Sequence, residues 1–165
     1  MKKMMMLLLL GMMSSGPVKA EGEMSFRGML LDTVPCVLNN GEALAVDFGE
    51  VGINKIDGVR YMQALSFLVH CPGRFDIPFR LLYLGDASGS DSAVLKTSVD
   101  GLGIKLKNEC GSSYCDVDVG GFVAVDMKGQ ENSLQKFQTV PVKQQGATLE
   151  AGPFSASASF RLEYY

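Results

Sequence analysis

The chain has 165 residues, 47% of them hydrophobic and 20% charged, which excludes a disordered protein, whose mark is low hydrophobicity with high net charge. That length holds one sizeable core, not two full domains. Fifteen Lys and Arg against 18 Asp and Glu give −3, with no basic excess to grip a phosphate backbone, so no nucleic-acid partner is expected.

The chain opens with Lys2 and Lys3, an apolar run from Met4 to Met13, and then Ser14, Ser15, Gly16, Pro17, Val18, Lys19 and Ala20. A basic start, a ten-residue apolar stretch and small residues at Val18 and Ala20 read as a signal peptide over residues 1–20. The run is too short to span a bilayer, which takes about 20 apolar residues. Cleavage after Ala20 predicts a mature chain from Glu21. It removes three lysines and no acid, leaving 12 basic and 18 acidic residues, or −6 over 145 residues. All four cysteines remain, and in an exported chain an even count reads as disulfides rather than metal ligands.

From there the period is two. Met24, Phe26, Gly28 and Leu30 share one face of the first run. Ala43, Ala45 and Asp47 interleave with Leu44, Val46 and Phe48 in the second. Leu65, Phe67, Val69 and Cys71 form the next face, then Phe75, Ile77, Phe79, Leu81 and Tyr83. Leu102, Ile104 and Leu106 follow, then Val123, Val125 and Met127, then Phe137 to Val142. The last face is Phe154, Ala156, Ala158, Phe160, Leu162 and Tyr164, opposite Ser155, Ser157, Ser159 and Arg161. Asn40-Gly41, Asp57-Gly58, Pro72-Gly73, Gly85-Asp86, Asp100-Gly101 and Gly120-Gly121 supply turns between the runs, and Asp86 to Ser92 reads as a flexible loop. Short alternating runs bounded by turn residues are half-buried strands. Seven or eight of them predict an all-β, antiparallel sandwich of immunoglobulin-like type. Both ends carry strands with one apolar face, and such a strand must find a neighbour or become an aggregation hazard.

Catalytic chemistry finds no support. His70 is the only histidine, and at period two it faces away from Leu65, Phe67 and Val69. No Gly-x-Ser-x-Gly elbow supports a nucleophile, and no Gly-Lys-Ser/Thr cradle supports a phosphate. Cys110-Gly111-Ser112-Ser113-Tyr114-Cys115 is not the Cys-x-x-Cys of a redox centre, and zinc lacks further ligands. No enzyme, cofactor or metal is expected. Four cysteines allow three pairings.

Several segments taken in order resemble the pilin subunits of chaperone–usher pili. They are Phe26-Arg27-Gly28-Met29-Leu30-Leu31-Asp32 with Pro35-Cys36, Asp47-Phe48-Gly49-Glu50-Val51, Cys71-Pro72, and a C-terminal strand with Gly152 and a penultimate Tyr164. The run Pro35-Cys36-Val37-Leu38-Asn39-Asn40-Gly41, then Val46-Asp47-Phe48-Gly49, is most similar to minor tip or adaptor subunits of P-type pili. The resemblance implies an incomplete immunoglobulin-like sandwich that lacks its final strand and is completed by donor-strand complementation. Residues 21–33 would be an N-terminal donor extension and residues 34–165 the pilin domain. The implied donor face is Met24, Phe26, Gly28 and Leu30. The implied groove and chaperone-binding strand is Gly152, Phe154, Ala156, Ala158, Phe160, Leu162, Tyr164 and Tyr165, with the terminal carboxylate as an anchor. Implied partners are a periplasmic chaperone, an outer-membrane usher and neighbouring pilin subunits, in an adhesive fimbrium at the cell surface. The resemblance also favours Cys36–Cys71, tying the early strands together; Cys110–Cys115 departs from the family's common single-bridge pattern and is read as an additional staple across a Gly-Ser hairpin. Read without it, residues 24–31 fit an ordinary first strand, and the whole fits a complete secreted immunoglobulin-like ligand-binding domain. Within the family, a rod pilin or a terminator is the alternative.

Overall fold

The computed structural model describes residues 25–28, 36–73, 77–89 and 91–164. The chain divides into two units, Met1–Asp32 and Thr33–Tyr165. The expected signal peptide, Met24, Leu30, Phe75 and Tyr165 lie outside the described residues. In the first unit, residues 25–28 carry no helix or strand, and the Phe26 side chain is 85% exposed.

The second unit is all-β, with no α-helix among its described residues. Its strands are β1 (Val37–Leu38), β2 (Gln63–His70), β3 (Phe79–Gly85), β4 (Ala87–Ser88), β5 (Asp91–Lys96), β6 (Leu102–Cys110), β7 (Ser113–Val117), β8 (Phe122–Val125), β9 (Asn132–Lys143) and β10 (Ala158–Tyr164). One sheet runs β1-β2-β9-β6-β5-β4, with β7 also paired to β6. The other runs β10-β3-β8. Every pairing is antiparallel.

Alternation decides which face each strand buries. Phe67 and Val69 on β2, Phe79, Leu81 and Tyr83 on β3, and Leu106 on β6 point into a shared core with Phe137, Val125 and Met127. The intervening residues of β3, Arg80 to Leu84 at every second place, are only half-buried. The Cys36–Cys71 bridge anchors β1 beside β2, with Cys71 completely buried. Cys110–Cys115 closes the β6–β7 hairpin. Pro141 is tolerated in the central strand β9 because pairing to β2 stops at Thr139, so its missing N–H interrupts no ladder on that side. At Gly101 the backbone has φ +79°, and a Cβ would lie 2.4 Å from that of Ala147, so glycine alone fits.

Four expectations need correction. Residues 43–48 alternate as a strand does but join no ladder, because no strand of the described chain lies where they would pair. Asp86 to Ser92 is not a flexible loop. It carries the bulged β4–β5 hairpin, whose polar residues gave no apolar face to read. The last strand begins at Ala158, not Phe154, because Ser155 is bound elsewhere: the Ser98 N–H donates to its carbonyl at 2.8 Å and its N–H donates to Ser98 Oγ at 3.0 Å. The strand read from Phe75 begins at Phe79.

Candidate functional site: an apolar groove beside the last strand

A groove of about 1230 Å³ runs through the second unit. One wall is the unpaired stretch after β1, contributing Leu44, Val46, Phe48, Val51, Ile53 and Ile56. The other is the approach to β10 and its first turn, contributing Gly152, Phe154, Ala156, Ala158 and Phe160. Core side chains form the floor, among them Leu65, Phe67, Tyr83, Leu95, Ile104 and Leu106. The Phe48 and Phe154 rings face each other from the two walls, their centroids 6.1 Å apart.

Sheet pairing explains why the groove is open. Among the described residues β10 pairs with β3 alone, at full register from Ala158↔Gly85 to Tyr164↔Phe79. An edge strand presents unpaired N–H and C=O groups on its free side. Phe160 ties this edge to the core, with ring centroids 5.1 Å from Phe67, 5.3 Å from Phe137 and 5.5 Å from Tyr83. Burial in this aromatic group pushes the Tyr83 phenol up to about 12.

Of the residues singled out in the C-terminal stretch, Gly152, Phe154, Ala156, Ala158 and Phe160 line the groove. Leu162 packs half-buried against the core. Tyr164 is exposed, edge-on to Phe79 at 6.3 Å. Phe26 and Gly28 belong to the other unit. The opposite wall was missed as a site. Its Leu44-Val46-Phe48 alternation reads as a strand, Val51 entered only within the Asp47–Val51 segment of the family resemblance, and Ile53 and Ile56 gave no signal of their own.

The polar groups do not form a reactive centre. On the opposite face of β6 from Ile104 and Leu106, Lys105 binds Asp116 at 2.6 Å and Asp91 at 3.2 Å, and Lys107 also binds Asp116. Burial pushes the Asp116 carboxyl up, but the two lysines outweigh it and hold it below its ordinary value. The His70 Nδ1 pairs with Asn132 Oδ1 at 2.8 Å. Among the described residues no cluster of three or more His, Cys, Asp or Glu is placed to hold a metal.

An immunoglobulin-like sandwich with an open apolar groove in place of its final strand is the fold of chaperone–usher pilins. Residues 24–165 match the family described as Fimbrial protein, and the chain belongs to that family, a structural and non-enzymatic one. It is 28% identical over 131 residues to the uncharacterized fimbrial-like protein YfcR of Escherichia coli K12, covering 79% of this chain and 73% of that one. It is 24% identical over 157 residues to the fimbrial adapter PapF of Escherichia coli, covering 93% of each. Among solved structures, the P pilus rod subunit PapA superposes with a TM-score of 0.65 at 22% identity, over 80% of this chain and all of that one. The P pilus adaptor subunit PapF superposes at 0.59 with 24% identity, over 81% and 98%. The chain is thus a fimbrial subunit, and its place is a surface fimbrium.

Proposed function

We propose that the chain is a minor tip or adaptor pilin that polymerises by donor-strand exchange. Residues 1–20 direct export, a periplasmic chaperone lends a strand to the groove, and an outer-membrane usher exchanges that strand for the N-terminal extension of a neighbouring subunit. Residues 21–33 do the same for the next groove along, and residues 34–165 are the pilin domain. The observation that supports this reading is the groove: two apolar walls, one of them the approach to an edge strand that, among the described residues, pairs with β3 alone. The minor role draws on the likeness to a fimbrial adapter over 93% of the chain.

The energetics follow from strand addition. Ladder bonds to β10 supply affinity, and alternate side chains seated between the walls set register. Burying a Leu- or Phe-sized side chain is worth about 1.5–3 kcal/mol, so Met24, Phe26 and Leu30 together offer roughly 5–9 kcal/mol before ordering is subtracted. Gly28 suits a point where the receiving groove has no room for a side chain. Small Ala156 and Ala158 leave space for an incoming strand.

The test is expression in the periplasm with and without the cognate chaperone. The chain should aggregate or be degraded alone and be recovered as a complex. A stable soluble monomer without the chaperone overturns the reading. Gly28→Trp separates folding from assembly. A side chain added at Gly28 meets no atom within 4 Å, so chaperone binding should persist while incorporation into the fibre fails. Assembly at the unaltered level removes the donor role of residues 21–33.

A further inference from the structure

The groove wall after β1 has no ladder to hold it. Among its described residues, the Glu42 N–H donates to the Asn39 carbonyl, the Gly49 N–H to Asp47 Oδ1, and the Lys55 N–H to the Gly52 carbonyl, all within three residues. One further bond reaches beyond the local turns: the Gly52 N–H donates to Tyr61 Oη at 3.1 Å. Gly52 lies between Val51 and Ile53, which both line the groove.

Tyr61 is built to make that bond. Its φ is +64°, the left-handed region that a bulky residue occupies only when its surroundings dictate it. A rigid turn delivers it there. Asp57 Oδ1 accepts the N–H groups of Val59 at 3.0 Å and Arg60 at 2.7 Å, and Arg60 Nε returns to Asp57 Oδ2 at 3.4 Å. Two residues later β2 begins, and Thr139 Oγ1 donates to the Gln63 carbonyl at 3.2 Å, so the base of the turn is fixed to the sheet. Gly52 itself has φ −72° and ψ 116°, which any residue adopts. Space explains the glycine: a Cβ there would stand 3.2 Å from Tyr61 Oη and crowd the bond.

We infer that Tyr61 is a positioning residue for strand uptake: its hydroxyl pins Gly52 and so holds the Val51–Ile56 stretch of the wall at the spacing an incoming strand needs. A pre-set wall does not have to be ordered at the moment of binding, which raises affinity for the strand. The inference rests on the donor-strand reading above.

The test uses the full mature chain co-purified with its chaperone, unaltered and as Tyr61→Phe, Gly52→Ala and the double variant. Tyr61→Phe keeps the ring and removes the acceptor. Amide exchange at residues 51–56 should accelerate about tenfold, while that of Leu81 and Val140 stays unchanged. Displacement of the chaperone by the N-terminal extension peptides of this chain (residues 21–33) and of the subunits assembled with it should slow three- to tenfold. Gly52→Ala should slow it similarly, and the double variant should be no slower than either single one, because the added methyl then has no hydroxyl to meet. Unchanged exchange at residues 51–56, unchanged displacement, or additive effects in the double variant overturn the role of Tyr61. Failure of every peptide to displace the chaperone from the unaltered chain is a distinct result and overturns the donor-strand reading, taking the positioning role with it.

Discussion

The sandwich has two ends built from the same kinds of residue, and they differ in completeness. Toward the Cys36–Cys71 bridge, Val69 and Cys71 lose essentially all contact with solvent, as does Leu81, which lies outside the groove lining. Along the groove, Leu44 keeps 36% exposure, and Phe154 and Phe160 are only half-buried. Composition does not separate the two regions; the presence of a facing strand does. Apolar area yields stability only when something covers it. The groove end is therefore a store of unrealised burial, and the bridged end is the part whose burial is already complete.

The sharpest way to break this division is to remove the bridge. Replacing Cys36 and Cys71 by Ser opens a loop with a sequence separation of 35. In the chain-entropy model this loses about 4 kcal/mol, against about 2 kcal/mol for the five-residue separation of Cys110 and Cys115. Denaturant unfolding of the chain in its chaperone complex should show the first variant far more labile than the second. Equal losses would mean that the bridged end is not the principal support. Next in size is a matched pair of truncations. Leu81→Ala leaves a cavity in the closed core and should lose about 3 kcal/mol whether or not the groove is filled. Leu44→Ala should lose under about 1 kcal/mol with the groove open and about 2 kcal/mol once a strand covers it. A Leu44→Ala penalty that ignores groove occupancy would refute the division into closed and waiting halves.

The closed half was largely legible in the residues. Leu65, Phe67, Val69 and Cys71 alternate because β2 has one dry face, and the same holds for Phe79, Leu81 and Tyr83. Both disulfides join the expected cysteines, Cys36–Cys71 from the resemblance to pilins and Cys110–Cys115 from its Gly-Ser hairpin. The groove was legible only by half. Phe154, Ala156 and Phe160 line it, but Ala43 to Phe48 carry a strand's pattern while the described residues supply no strand to pair them. Periodicity reports which face wants burial, not who provides it. Nor did it report the first half of β9: Asn132 to Lys136 pair with β2 yet carry polar residues on both faces. The left-handed Tyr61 had no signal at all, since the need for that conformation arises from Gly52 nine residues away.

Tyr83 probes the floor between the two halves. Its folded-state value is raised from 10.0 to about 12 by burial, so the neutral phenol is favoured in the folded chain. The stability this represents is full below pH 10 and is lost as pH rises from 10 to 12, amounting to on the order of 2 kcal/mol. Alkaline unfolding followed by phenolate absorbance should show one tyrosine titrating late, and Tyr83→Phe should remove the loss. Because Tyr83 touches Phe160 at 5.5 Å, filling the groove should delay that titration further. A Tyr83 that titrates at its ordinary value would show the floor to be wet.

The smallest effect belongs to the charged face of β5, β6 and β7, which serves as the control. Burial works against the ionised Asp116, and the hydrogen bonds from Lys105 and Lys107 outweigh it, leaving the carboxyl depressed. Asp91 is depressed first by the Ala93 N–H and then by Lys105. Depressed carboxyls contribute stability above their unfolded value, near pH 4, and lose it as pH falls through the folded value. The lysine side of the network adds nothing in that range, because Lys105 is raised and stays charged throughout. With Asp116 about one-third exposed, the whole contribution should be under about 1 kcal/mol and should fade in 1 M salt. Asp116→Asn should flatten the acid limb of the stability curve by that small amount. It should leave strand uptake untouched, since the network sits on the face of β6 turned away from Ile104 and Leu106. A change in peptide binding on Asp116→Asn would mean that the groove is coupled through the sheet to its far face, and the two halves would then have to be treated as one mechanical unit.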